Sequence, residues 1–321
     1  MADEFKEVNC IACGGKKILL KYPKCRDRYF PNIVGNFDLY ECVICKLLFI
    51  LPQPTQRILN EHYPEEYEVY DQRPKAPSKI RAYVVRKVTQ QYLGYGKKTL
   101  LGNIWYPFYM KLAHLPQSKN AGTILDVGCS GGARFPVFEL LGWNVEGVEL
   151  DQKAASAAKT FGYNVINAPF ENASLPRESF EVVYMNNVFE HLLDPETGLE
   201  NAREILKPKG ELLLVIPNGN SMNARMFKKH WFGLEVPRHT YTYNPKNISL
   251  MLAKHGFEVK KIVSSNTFGT TLSSLAYALD IPLRYLSFFD RLIWAVNMAV
   301  DPFVTVFNRG DFITVRAIVK K

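Results

Sequence analysis

The run Ile124-Leu125-Asp126-Val127-Gly128-Cys129-Ser130-Gly131-Gly132, followed by Gly147-Val148-Glu149 at the end of the next apolar run, constrains this chain more than any other feature. An apolar strand that opens into a turn of small residues, with a carboxylate closing the next strand 21 positions after Gly128, is how an α/β sheet cradles an adenosyl group. Gly128 and Gly132 let the backbone approach a ligand, and Glu149 can accept from both ribose hydroxyls. The spacing departs from the dinucleotide fingerprint, because Gly128, Ser130 and Gly132 stand where G-x-G-x-x-G would be needed. The pattern predicts a nucleotide-like cofactor.

From Thr123 the chain alternates strand-like and helical runs, which predicts an α/β doubly wound, Rossmann-like sheet of seven strands. Strands are expected at 123–127, 144–149, 164–167, 180–185 and 211–216. Asp194-Pro195 opens a helix whose Leu199, Ala202, Ile205 and Leu206 share a face, and Lys207-Pro208-Lys209-Gly210 is expected to end it. A helix over 245–255 stops at Gly256, and Phe257–Val263 and Phe312–Val319 supply the last two strands. Between them, residues 267–310 form a long apolar helical insertion. A helical pair packed on the sheet is the plain reading of it, and a lipid-facing surface is the alternative.

The N-terminal third has another character. Cys10-Ile11-Ala12-Cys13 and Cys42-Val43-Ile44-Cys45 place four thiols in two C-x-x-C knuckles 28 residues apart, the ligand set of one closed, structural Zn²⁺ site. Cys25 reads as a spectator on an exposed loop, and Cys129 as a small packing residue. The expected organisation is a zinc ribbon over 1–70, a basic aromatic helical linker over 71–120 and a catalytic domain over 121–321.

Four of six cysteines in metal-type pairs, a polar N-terminus and no run of 18 uncharged apolar residues predict a cytoplasmic protein. Its net charge of +9 is concentrated between Asp71 and Asn120, where ten Lys and Arg face one Asp and are interleaved with Tyr and Trp. That suits a solvated helical face or an anionic partner: a peripheral contact with an anionic membrane, a glycan or a nucleic acid.

Catalysts in open α/β sheets sit at the carboxyl ends of strands, where Asn186, Asn187, Glu190 and His191 fall. His191 beside Glu190 is a candidate general base. Phe170 and Glu171, in the loop after the third strand, are placed to stack on an adenine and read its edge.

The Asp126-x-Gly128-Cys129-x-x-Gly132 form resembles the first motif of class I S-adenosylmethionine (SAM) methyltransferases, with Ser130 in place of the usual middle glycine. The segment Cys42 to Cys45, Leu48 to Leu51, Pro52-Gln53-Pro54-Thr55 and Tyr63-Pro64 is similar to a subfamily in which a zinc module precedes the SAM domain. The resemblance implies SAM held by Asp126, Gly128, Ser130, Gly132, Glu149, Phe170, Glu171 and Asn186, Zn²⁺ on the four cysteines, and a seventh strand inserted antiparallel beside the sixth. Glu190-His191-Leu192-Leu193-Asp194-Pro195 resembles the family's E-H-L-x-D-P, and Pro237-Arg238-His239 its Pro-x-His, so His239 joins His191 and Glu190 as catalytic candidates. Relatives that methylate sugar carbon carry Glu before this His; Arg238 here is expected to make the site more cationic. The acceptor expected is a hydroxyl of a glycan, nucleotide sugar or lipid-linked saccharide. RNA methylation and a non-catalytic interaction module are the alternatives.

Overall fold

A computed structural model describes residues 8–63, 74–80, 82–83, 85–86, 114–116, 121–265, 270–281 and 309–320. The chain divides into two compact units, one comprising 1–65, 189–196 and 215–315 and the other 66–188, 197–214 and 316–321.

The first unit contains a four-stranded sheet of order β1 (Ile18–Cys25), β2 (Phe37–Cys42), β3 (Leu48–Ile50) and β9 (Tyr241–Thr242). All three pairings are antiparallel. The ribbon's own sequence supplies three strands; the fourth comes from nearly two hundred residues later, where Leu48 and Phe49 pair with Thr242 and Tyr241. Leu39, Leu48 and Ile50 pack with Trp231, Leu234 and Val236 in one apolar cluster. Cys25 belongs to it at 8% exposure, so it is a core residue rather than part of an exposed loop. α1 (Gln56–Glu61) follows β3, with Thr55 as its N-cap.

The larger sheet has the order β10-β11-β8-β7-β4-β5-β6, with β4 (Thr123–Val127), β5 (Asn144–Glu149), β6 (Asn164–Asn167), β7 (Phe180–Asn186), β8 (Leu206–Pro217), β10 (Phe257–Ser265) and β11 (Phe312–Val319). β4 pairs in parallel with β5 and β7, and β5 with β6. Four of the five residues of β4 are buried, as expected of a central strand covered on both faces. The final strand lies beside the sixth, at the expected position. The sheet is the seven-stranded Rossmann-like α/β fold read from the sequence.

One boundary differs. α4 (Pro195–Ile205) stops before Leu206, which was expected on its face, and β8 begins at Leu206 rather than 211. Lys207-Pro208-Lys209-Gly210 is thus the start of a strand, tied down by Lys207 Nζ donating to Glu181 of β7 at 2.5 Å.

Two further helices follow directly from capping chemistry. α3 (Gln152–Thr160) starts at Asp151, whose carboxylate accepts from the Ala154 N–H at 2.7 Å, and buries Ala154, Ala155 and Ala158. α6 (Pro245–Lys254) has Pro at its first position and a reciprocal Asn244–Asn247 box.

Of the apolar insertion, α7 (Thr270–Leu279) is described, and it packs on α5 (Met222–Phe227) and the turn at 232–234. There Ser274 Oγ accepts from the Phe232 N–H (2.9 Å), and Asn223 donates to Thr271 (2.8 Å). Most of the basic 71–120 segment and residues 282–308 lie outside the described residues. Among the described residues no helix is long and apolar enough to cross a membrane.

Candidate active site

The glycine-rich turn closes against the neighbouring strand: the Gly128 and Cys129 N–H groups donate to Val148 O at 2.8 and 3.3 Å. Gly128 has φ +66°, and a Cβ there would meet Val188 at 2.4 Å, so this position requires glycine. Ser130 keeps the left-handed conformation of the glycine it replaces, with φ +50°, at a cost of about 1 kcal/mol. Glu149 holds that turn by accepting from the Ser130 N–H at 2.7 Å and the Asp151 N–H at 2.8 Å. Each oxygen retains a lone pair for a further donor. Burial raises the Glu149 carboxyl above the ordinary value, and the two backbone donors oppose that rise.

Asp126 is the clearest sign of an intended ligand. It is 1% exposed, and neither carboxylate oxygen has a hydrogen-bond partner. Burial pushes its pKa up to about 7, against the pull of the Arg134 cation. A buried, unpaired carboxyl beside a turn whose Gly128 admits no side chain fits a polar ligand such as SAM.

The other sequence candidates lie around this cradle or within the core. Asn186, with its amide oxygen toward Arg134, accepts from that guanidinium. Phe170 is buried at 4% exposure, in a turn whose carbonyls at 170 and 171 accept from Asn201 (3.3 and 2.8 Å). Cys129 is buried with its thiol raised by desolvation, the signature of an inert packing residue.

In the first unit, Glu190, His191 and His239 come together as one cluster whose ligand-type atoms lie within 4.8 Å of one another. The two imidazoles meet edge to face with centroids 4.5 Å apart. His191 Nδ1 lies 3.1 Å from the Arg238 carbonyl, and His239 Nδ1 2.9 Å from the Gly233 carbonyl. A carbonyl only accepts, so both Nδ1 atoms carry the proton and both Nε2 atoms present a lone pair. The Tyr63 hydroxyl also reaches His191 Nδ1, at 2.8 Å.

Burial, then the neighbouring His239 and Arg238, hold His191 well below the ordinary imidazole value. Burial likewise lowers His239, although Glu235, 3.6 Å from its Nε2, works the other way. Glu190 is 1% exposed with both oxygens unpartnered, and desolvation raises it well above the carboxylate range. The trio is a set of donors that could share a proton or hold a cation.

Arg238 adds positive charge that lowers both histidines, but its guanidinium is engaged by buried partners of its own. Its guanidinium is fully buried and turned inward, donating to both oxygens of Asp27 (2.7 and 3.1 Å), to His62 O (2.8 Å) and to Glu235 (2.9 Å). Asp27 also takes His62 Nδ1 at 2.8 Å. None of Asp27, His62, Glu235 or Tyr63 stood out as a site residue in the sequence; the contacts of Asp27, His62 and Tyr63 are tertiary, whereas Glu235 meets Arg238 and His239 within one turn of chain.

The ribbon's Cys10, Cys13, Cys42 and Cys45 bring four sulfurs within 4.8 Å of one another, with Cys10–Cys45 and Cys13–Cys42 each at 3.5 Å. Zn–S bonds of about 2.3 Å put tetrahedral sulfurs about 3.8 Å apart, so the cluster fits a zinc ion.

Residues 104–262 match the model of the family described as "Methyltransferase domain". With the sheet described above, the chain carries a SAM-dependent methyltransferase domain of the class I fold. Among curated proteins it is similar to the mitochondrial ubiquinone biosynthesis O-methyltransferase of Bos taurus, 27% identical over 199 residues that cover 53% of this chain and 54% of that protein. The ubiquinone biosynthesis O-methyltransferase of Thiobacillus denitrificans is 26% identical over 180 residues, 51% of this chain and 75% of that protein. The chain thus spans about half the length of the bovine relative it matches. A solved SAM-dependent methyltransferase of Thermotoga maritima, described as a possible histamine N-methyltransferase, matches with TM-score 0.46 and 21% identity over 74% of this chain and 99% of that one.

These relatives correct the acceptor read from sequence. They are named for ubiquinone biosynthesis, which overturns the glycan, nucleotide sugar or lipid-linked saccharide.

Proposed function

We propose that this protein methylates a hydroxyl oxygen of a quinone-type acceptor, with His191 as general base. The observation that carries the reading is the place of His191 Nδ1 against the Arg238 carbonyl: with the proton on Nδ1, Nε2 is free to receive another. A phenolic hydroxyl with a pKa of about 10 needs only such a mild base. The depressed pKa keeps His191 neutral, and therefore competent, at neutral pH. When bound, SAM supplies the activated methyl group; the bond from sulfur to methyl breaks as the bond from oxygen to methyl forms. The hydroxyl proton passes to His191 Nε2. Asp126, Glu149 and the 128–132 turn hold the cofactor in this reading, with Gly132, Asn186, Phe170 and Glu171 around it. His239 packs against His191 and keeps it oriented, and burial holds the neighbouring Glu190 carboxyl well above the carboxylate range. The four cysteines hold a structural zinc.

The test is methyl transfer to a ring-substituted catechol. His191→Ala is expected to lower kcat by about 10²–10⁴-fold with SAM affinity unchanged. The acidic limb of the wild-type kcat profile should fall below pH 6.5, because the base titrates below its ordinary value. A variant that retains wild-type kcat would remove His191 from the reaction.

A further inference from the structure

A second concave site lies in the first unit, in a cavity of about 150 Å³ lined by Lys24, Arg26, Arg28, Lys229, Tyr29 and Tyr277, among others. Four cations share this lining. Glu235 is the acid in its wall, and that carboxylate is already engaged by Arg238. At the rim, Asp280 takes Arg26 at 2.9 Å and Arg28 at 3.4 Å, which offsets one charge. Lys24 and Lys229 have no acidic partner among the described residues, so about two positive charges face one small volume once Glu235, which shares Arg238 with Asp27, is counted. From this convergence we propose that the cavity binds a phosphate group of a small ligand.

The cations are arranged rather than merely abundant. Arg28 is half-buried; its Nη1 donates to the Tyr277 carbonyl at 2.6 Å and its guanidinium lies over the Tyr277 ring at 6.0 Å. That contact fixes the plane of the fork and leaves its other donors for an oxyanion. Lys24 sits in left-handed backbone, φ +51°, with its N–H held by Asp38 at 2.8 Å. Lys228, next to Lys229, is left-handed as well, with φ +52°. A positive-φ residue near the end of β1 and another next to Lys229 thus flank the hollow, and strain of this kind persists only where surrounding structure imposes it. Burial and the adjacent Arg26 lower the Arg28 guanidinium, the effect of positive charge gathered without full compensation. A single carboxylate would balance one of the surplus charges; a phosphate monoester or diphosphate balances two or more, and the aromatic wall suits its organic part. Glu235 also approaches His239, so one side chain separates this cavity from that histidine. The inference does not depend on methyl transfer.

Calorimetric titration of the zinc-loaded full chain with pyrophosphate at low salt tests it. Wild type is expected to bind, and Lys24→Ala/Lys229→Ala to bind at least about tenfold more weakly, since each lysine is exposed and its loss should spare the fold. Lys159→Ala, on α3, is the control and should bind as wild type does. No binding at about 1 mM pyrophosphate, or equal binding by the double variant, overturns the proposal. The source of the phosphate is read with vesicles: recruitment to phosphatidic acid that pyrophosphate reverses assigns a lipid headgroup. Pyrophosphate binding without recruitment assigns a soluble phosphorylated ligand.

Discussion

Arg238 and Asp27 form a two-pronged ion pair, 2.7 and 3.1 Å, in which both side chains are fully buried. The pair joins the loop between the two cysteine knuckles to the segment that carries His239. It also fixes the Arg238 carbonyl against which His191 is oriented. Breaking such a pair strands a charge, at about 3–5 kcal/mol. Asp27→Ala is expected to lose that much stability in urea unfolding, and Arg238→Lys much of it, because an ammonium cannot reproduce the fork to Asp27, His62 O and Glu235. A loss below about 1 kcal/mol would mean that the pair is dispensable.

Asp126 titrates near 7 in the folded chain against 3.8 unfolded, so folding favours its protonated form. Its contribution is fully present below pH 3.8 and is lost as pH rises through 7, a penalty of several kcal/mol at pH 8 in the absence of ligand. Asp126→Asn should therefore raise the melting temperature at pH 8 and have little effect near pH 4, while SAM affinity falls. Parallel melting profiles for the two proteins across that window would contradict this.

Glu149→Ala should weaken SAM by about 1–3 kcal/mol, the value of hydrogen bonds to a charged acceptor. Part of that loss is indirect, since Glu149 also holds the Ser130 turn. Glu149→Gln, which keeps acceptor geometry at one oxygen, should fall between wild type and Ala in calorimetry. Unchanged affinity in both would place the ribose elsewhere.

Freshly purified protein should hold one zinc on Cys10, Cys13, Cys42 and Cys45 by elemental analysis. Chelation should loosen more than the knuckles: Ile50 donates to Thr240 O at 3.2 Å and β3 pairs with β9, so amide exchange should accelerate at 48–50 and 240–242. Exchange confined to 8–47 would show that β9 does not rely on the ribbon.

What the sequence determined by itself was local. A run such as Ile124–Val127 is apolar enough to be a central strand wherever it lies, a turn at Gly128 needs glycine for its own backbone, and Asp151 caps α3 through a bond to a residue three positions away. The cysteine knuckles belong to the same class, because two thiols separated by two residues already share a turn. Likewise the candidate bases His191 and His239 could be named from their segments. Their pairing could not, nor could the protonation that their neighbours impose. Arg238 shows why: beside a histidine in sequence it reads as charge added to a site, and only the fold reveals that it is held by Asp27, 211 positions away. The strand Tyr241–Thr242 is too short to announce itself and exists because β3 offers it an edge. Pairings of that kind depend on which surfaces the completed chain buries together, so only the tertiary structure decides them.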